Sequence, residues 1–382
     1  MKRAGMLLIC FSLLAGLLPC RVSALELNVA AKSALLMDAA TGTILYEQNA
    51  REALAPASVT KVMTMLLIME AIDSGRIGWD DTVTASETAA AKGGSQIYLK
   101  AGETMTVSDM VKSIAVSSAN DCACAMAEHL AGSESAFVDL MNRRAQELGM
   151  EDTRFVNCTG LDDDPEAAAH RTSARDIAIM SRELLQNHPD IKKFTTIWMD
   201  TVRGGAFGLS NTNKMVRFYD GCTGLKTGFT NGAGYCLSAS AARDGLELIA
   251  TVMGSKTSAD RFAAAKSMLD YGLSNFALYT PVVQEGATVT VTLGSSPSVA
   301  AVPAEDARLL VEKGLLNSIV TEITLEPRIA APVTIGQTLG TMTIRNQDHI
   351  LKEIPMIAAE AVGRLRWGDL TVKILRQIAM AK

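Results

Sequence analysis

"PASVTKVMTMLL", residues 56–67, decides how the rest of the chain is read. It sets Ser58 three residues ahead of Lys61, just where a run of apolar residues begins. Residues at i and i+3 share one face of a helix, so the spacing predicts the Lys61 ammonium within hydrogen-bond reach of the Ser58 hydroxyl. In the first turn of a helix over 58–71 the backbone N–H groups are unpaired and favour negative charge. A serine there can attack a carbonyl while its own N–H supports the oxyanion. Lysine acts as a base only if its pKa falls toward neutrality. Burial among residues 62–69 and a second nearby cation would both push it down. Alone the pattern is weak, because a capping serine and a solvated lysine give the same letters.

Two later stretches sharpen it. "SSAND" holds Ser118 and Asn120 late in a stretch, 106–130, that reads as one helix with Thr106 and Asp109 as a capping box. A hydroxyl and an amide at i and i+2 can relay a proton and hold a substrate amide, although a polar helix end would look the same. "GLKTGFTNGAGYCLSASA" carries Lys226, Thr227 and Gly228 directly ahead of an apolar strand. Glycine at a strand edge lets a substrate backbone approach closely. Thr227 can bond a terminal carboxylate, and Lys226 supplies a positive field and the second cation expected to depress Lys61.

Length and charge set the frame. The chain has 382 residues, enough for one or two domains, and a net charge of -5 with no basic stripe, so no nucleic-acid partner is expected. Lys2 and Arg3, an apolar run over 6–18 and Val22-Ser23-Ala24 read as a signal peptide, 1–24, cut after Ala24. That places the mature protein outside the cytoplasm. Cys10 and Cys20 leave with the signal, and Cys122, Cys124, Cys158, Cys222 and Cys236 remain. An odd count means at least one free thiol or an intermolecular bridge. Cys122 and Cys124 are too close on one helix to bridge, whereas Cys222 with Cys236 stands as a candidate pair. Neither the cysteine spacings nor His129, His170, His188 and His349 match a metal pattern, so neither a metal nor another cofactor is expected.

Along the chain, 34–37 and 44–46 read as strands around a turn, and 172–185 as a helix opened by Thr172 or Ser173 with Asp176 in its first turn. "AGYCLSASAA" and "LELIATVMGS" read as paired strands around Arg243-Asp244-Gly245, and "SADRFAAAKSMLDYGLSNF" as a helix. Strands between helices predict an α/β (α+β) domain over 25–279, its sheet covered by helices. The short β-branched runs "TVTVTL", "VTEITLEP" and "TLGTMTIRN" predict a small all-β domain over 280–355. From Met356 to Lys382 there is no strand signal. Trp367, Leu370, Ile374 and Ile378 share one helical face, and Arg364, Arg366, Lys373, Arg376 and Lys382 outnumber Glu360 and Asp369. This tail reads as an amphipathic helix lying in a membrane's headgroup plane, or docked on its own β domain. Gly363 and Gly368 weaken it as a free helix.

The trio in this order resembles the penicillin-binding/β-lactamase group of serine enzymes. Together with "FVNCTGLDDD", "HRTSARDIAIMS" and the β texture that follows, the chain resembles the low-molecular-mass penicillin-binding proteins of the D-alanyl-D-alanine carboxypeptidase type. That resemblance implies an antiparallel sheet flanked by helices, then a small β domain. It implies Ser58 as acylated nucleophile, Lys61 as its general base and Ser118 as proton relay. Asn120, Lys226, Thr227, Gly228 and Phe229 would bind substrate, with the N–H groups of Ser58 and Phe229 forming the oxyanion hole. The implied substrate is the D-Ala-D-Ala end of a peptidoglycan stem peptide, β-lactams are implied covalent inhibitors, and the implied location is the outer face of the cytoplasmic membrane. A β-lactamase or D,D-endopeptidase would use the same site. The chain departs from the pattern at Thr212, where some relatives carry a carboxylate-binding arginine, with Arg261 only a distant substitute. Phe229 offers no side-chain donor. "ELLQN", beginning at Glu183, only faintly echoes a lactamase base motif.

Overall fold

The computed structural model describes residue 27, residues 29–163, 165–282 and 286–366, and residue 368. The expected signal segment lies outside the described residues, as do residues 367 and 369–382 of the expected tail helix. The strand β1 (Ser33–Asp38) turns back into β2 (Ile44–Gln48) through a loop in which the Asp38 carboxylate accepts from the N–H groups of Ala40 and Thr41. Then come the helices α1 (Lys61–Asp73), α2 (Val107–Ser117), α3 (Asn120–Ala131) and α4 (Ala174–Asn187). The strands β3 (Cys222–Thr230), β4 (Gly234–Arg243) and β5 (Leu246–Ser255) precede the helix α5 (Ser258–Asn275). The five strands form one antiparallel sheet in the order β2-β1-β5-β4-β3.

Both faces of this sheet are covered, which is why its strands lack a clean polar alternation. Every residue of β1 is buried. Leu35 and Met37 pack into the cluster built by α1 to α4, while Ala34 and Leu36 pack with Ala264, Ala265, Met268 and Leu269 of α5. Small residues bring α5 close: a Cβ at Gly272 would stand 2.3 Å from Leu248 Cδ1. The helix α1 is apolar around its whole circumference, and such a helix belongs in an interior. Its position carries Lys61 inside with it. The β4–β5 hairpin turns at Asp244 and Gly245, both at positive φ, as the Asp-Gly pair suggests.

Two expected helices differ from the sequence reading. Ser58 lies in a 3-10 turn, Ala57–Thr60, and the α-helix starts only at Lys61. The stretch 106–130 is two helices. Thr106 caps α2 as expected, its hydroxyl accepting from Asp109 N–H, but the helix stops at Ser118, which adopts φ +63°. Ser117, Ser118 and Asn120 carry side chains that compete with the helical ladder, and the Asn120 N–H bonds Ser95 O instead. Ser173, not Thr172, caps α4. Cys222 faces Ala241 and Cys236 faces Gly228 across the β3–β4 register, at opposite ends of the hairpin, so the candidate disulfide does not form and both thiols are free.

Phe276–Tyr279, after α5, pairs with Leu309–Glu312. Beyond it a second sheet has the order β8-β10-β11-β7-β6-β9, from β6 (Thr288–Thr292), β7 (Ser298–Pro303), β8 (Ile319–Leu325), β9 (Arg328–Ala330), β10 (Thr338–Asn346) and β11 (His349–Ala358). Val289, Val299, Leu339, Met342, Ile344 and Met356 fill its core. The strand β11 runs on to Ala358, and Val362 and Arg364 make further bridges, so the sheet extends into the segment read as strandless. Met356 is there because its side chain completes the core. Replacing the α2 cap, Thr106→Ala, is expected to lower the free energy of unfolding by about 1 kcal/mol in chemical denaturation.

Candidate active site

Three elements converge at the start of α1. The 3-10 turn presents Ser58 half-buried, and α1 then points Lys61 into the interior, where the residue has no exposed surface. Lys61 Nζ lies 3.0 Å from Ser58 Oγ and donates to Thr159 O at 2.7 Å. Burial lowers the Lys61 pKa to about 7, an effect that Cys158 and then the Asp121 carboxylate oppose only in part. The amine can therefore lose its proton near neutral pH and accept the Ser58 proton.

The junction between α2 and α3 supplies Ser118 and Asn120. Both are buried, and among the described residues Ser118 Oγ and Asn120 Oδ1 have no hydrogen-bond partner. Asn120 Nδ2 donates to Gly93 O at 2.7 Å, which fixes the amide so that its oxygen is the free end. Buried polar atoms without partners are rare, and an acceptor held this way is suited to a substrate N–H. Asp121, the next residue, uses its carboxylate to hold the Ile97 and Leu99 N–H groups and so anchors the neighbouring loop.

The strand β3 forms the third side. A Cβ at Gly228 would stand 2.6 Å from Pro56 O and 3.0 Å from Ser58 N, so only glycine lets this strand lie against the serine turn. Thr227 Oγ1 donates to Thr212 Oγ1 at 2.7 Å. Thr212, the residue standing where an arginine was sought, therefore orients the hydroxyl beside it. Lys226 is fully buried, donates to Thr227 O, and is held well below its ordinary pKa by burial first and then by the charges of Lys61 and Arg261. The expected influence of Lys226 on Lys61 is thus corrected: burial is what lowers Lys61, and the repulsion between the two amines is felt at Lys226. Phe229 is half-exposed, with its ring stacked on Tyr235 at 4.3 Å. Arg261 is no carboxylate ligand here, because its guanidinium donates to Gly228 O and Cys236 O and packs over Tyr235 and Phe262. It props β3 from behind.

The sequence reading missed Thr60, Thr159, Gly160 and His170. Thr159 acts through its backbone carbonyl, which no side-chain pattern reveals. Gly160 is forced by contact: a Cβ there would stand 1.8 Å from Ala57 O. The stretch "CTGLDDD" was noted as a likeness without a role. Elsewhere, Glu70, Glu183 and His188 bring donor atoms within 4.8 Å of one another. Arg144 already donates to both carboxylates at 2.7 Å, so the cluster is an ion-pair network with its cation in place.

Known families resemble the chain over most of its length. Residues 20–257 match the D-alanyl-D-alanine carboxypeptidase family (peptidase S11), and residues 279–364 match the penicillin-binding protein 5 C-terminal domain family. The chain is 44% identical over 342 residues to the D-alanyl-D-alanine carboxypeptidase DacF of Bacillus subtilis, covering 88% of this chain and 86% of that one. It is 33% identical to DacC of Escherichia coli, covering 88% and 85%. Among solved structures, penicillin-binding protein 5 from Haemophilus influenzae superposes with a TM-score of 0.75 at 29% identity, covering 88% of this chain and 98% of that one. Penicillin-binding protein D2 from Listeria monocytogenes in its ampicillin-bound form superposes with a TM-score of 0.57 at 31% identity, covering 65% and 99%. Gly228→Ala, which forces β3 off the Ser58 turn, is expected to slow acylation of this site by about 100-fold while the chain still folds, read by stopped-flow with a fluorescent penicillin.

Proposed function

The chain belongs to the D-alanyl-D-alanine carboxypeptidase family of serine hydrolases, and from that premise we propose that Ser58 cleaves the terminal D-Ala from peptidoglycan stem peptides. The observation that carries the reading is the buried Lys61 amine, lowered to about 7 and 3.0 Å from Ser58 Oγ. Neutral Lys61 takes the Ser58 proton as Oγ attacks the carbonyl of the penultimate D-Ala. The N–H groups of Ser58 and Phe229 receive the charge that develops on the carbonyl oxygen. The C–N bond breaks, and the proton passes from Lys61 through Ser118 Oγ to the departing amine. Water then attacks the ester, its proton returns by the same route, and Ser58 is regenerated.

The free groups fit this substrate. Asn120 Oδ1 accepts a stem-peptide N–H, and Thr227 with Lys226 receives the terminal carboxylate. A β-lactam presents the same carboxylate and a strained amide, so it acylates Ser58 in the same way, but its leaving nitrogen stays tethered. A lactamase would need a second base near the ester. Glu183 does not supply one: it shares Arg144 with Glu70, which lies nine residues along α1 from Lys61, or about 13 Å. The exported location and the membrane-bound tail belong to this proposal too, supported by the basic amphipathic sequence beyond residue 363.

Intact-mass analysis after benzylpenicillin treatment is expected to show one adduct mapping to Ser58 and absent in Ser58→Ala. Release of D-Ala from a diacyl-Lys-D-Ala-D-Ala peptide should disappear in the same variant. Label on any other residue would overturn the assignment. Because Lys61 must be unprotonated to accept the proton, the acylation rate should rise with pH through a midpoint near 7, and Lys61→Arg should abolish that rise together with the rate. For the tail, a chain ending at residue 366 is expected to lose liposome flotation while keeping its D-Ala release. Equal flotation of the two forms would remove the membrane role.

A further inference from the structure

His170 has no place in the steps above, yet it is buried behind the nucleophile and makes two defined hydrogen bonds. Its Nδ1 accepts from the Val156 N–H at 3.2 Å, and its Nε2 lies 2.8 Å from Thr60 Oγ1. A backbone N–H can only donate, so Nδ1 is the acceptor and the ring proton sits on Nε2. Nε2–H therefore donates to Thr60 Oγ1. The Thr60 hydroxyl in turn donates to Ala57 O at 2.8 Å. Ala57 adopts φ +49°, an unfavourable region for a residue with a Cβ, so this carbonyl needs holding.

The Ala57 carbonyl shares a peptide plane with the Ser58 N–H. That peptide is not among the cis bonds of the structure, so its C=O and N–H point in opposite directions. Two close approaches mark those directions. Gly160 crowds Ala57 O on the Thr60 side, and Gly228 approaches Ser58 N on the β3 side. We infer that His170 is a positioning residue for the oxyanion site: through Thr60 it clamps the Ala57 carbonyl, and so aims and polarises the Ser58 N–H. The inference rests on the reading of Ser58 N–H as an oxyanion donor. Successive hydrogen bonds along such a chain strengthen one another, because each accepted proton makes the next donor more acidic. The ring stays neutral where the enzyme would work: burial first, then the charges of Arg171 and Lys61, lowers its pKa to about 4.

Four variants separate this role from simple packing. Thr60→Val keeps the shape and removes the hydroxyl, whereas Thr60→Ser keeps it. His170→Asn retains an acceptor for Val156 but withdraws the donor from Thr60, whereas His170→Gln reaches Thr60. Acylation by a fluorescent penicillin should be resolved into a dissociation constant and a limiting rate. The acyl-enzyme carbonyl stretch should be read by infrared difference spectroscopy. Thr60→Val and His170→Asn are expected to lower the limiting rate about tenfold with the dissociation constant unchanged, and to move the ester carbonyl to higher frequency. Thr60→Ser and His170→Gln should restore most of the rate and the wild-type band. A folded Thr60→Val or His170→Asn whose carbonyl band does not move would overturn the inference, whatever its rate. Should Thr60→Val fail to fold, His170→Asn carries the same test. Label mapping away from Ser58 would instead sink the underlying assignment, so the two failures are distinguishable.

Discussion

The structure depends on one costly arrangement: a lysine amine with no exposure, held by a serine hydroxyl and a backbone carbonyl instead of a carboxylate. Taking an ammonium out of water without a paired anion is strongly unfavourable, and the chain meets this by letting the amine lose its proton. Lys226 repeats the arrangement beside it and is lowered further by the first amine's charge. Both groups bind protons more weakly folded than unfolded. In the window between the folded and unfolded pKa values the unfolded chain holds more protons, so the penalty these lysines place on the fold shrinks as pH rises through it. The stability given up here leaves Lys61 with an amine able to accept a proton near neutral pH.

Much of the surrounding fold serves to hold that amine dry and in register. The apolar circumference of α1 encloses it, and the segment of residues 155–163 and 165–172 closes over the back of the turn. That segment grips the site at two backbone points: Thr159 O takes the Lys61 proton donor, and Gly160 admits Ala57 O. It is itself tied down, because Thr172 pairs with Leu54 and Arg171 pairs with Arg154. On the opposite side β3 presses its glycine edge against Ser58, with Arg261 behind it. The Ser58 turn is thus fixed by backbone packing from two directions, and it stays strained at Ala57.

The sequence carried the parts of this whose cause is local. Three short motifs singled out Ser58, Lys61, Ser118, Asn120, Lys226, Thr227 and Gly228; of these the structure sets Lys61 on Ser58, Gly228 against the same turn and Lys226 within reach of the Lys61 charge. The strand pair around Asp244-Gly245 and the caps at Thr106 and Ser173 were legible because a turn or a cap is decided by a few adjacent residues. What was not legible depends on partners far along the chain. The break at Ser118 needs Ser95 O to take the Asn120 N–H, and nothing near Ser118 announces that. Likewise β11 passes Met356 because a core elsewhere in the β domain has room for it. Arg261 read as a distant carboxylate ligand, and only the tertiary structure shows that its donors are taken by β3 and β4.

Ser118 Oγ and Asn120 Oδ1 close the argument from stability to chemistry. Each is buried without a partner among the described residues, and an unpaired buried polar atom costs about 1–3 kcal/mol. A fold that needed only to be stable would replace both with apolar groups or pair them. Their neighbours instead hold them unpaired: Gly93 O fixes the Asn120 amide from one end, and the left-handed backbone at Ser118 sets the direction of its hydroxyl. If, as proposed, a stem peptide supplies an N–H to Asn120 and a proton passes through Ser118, binding recovers this cost. On the proposed reading the same atoms that weaken the unbound protein favour the complex.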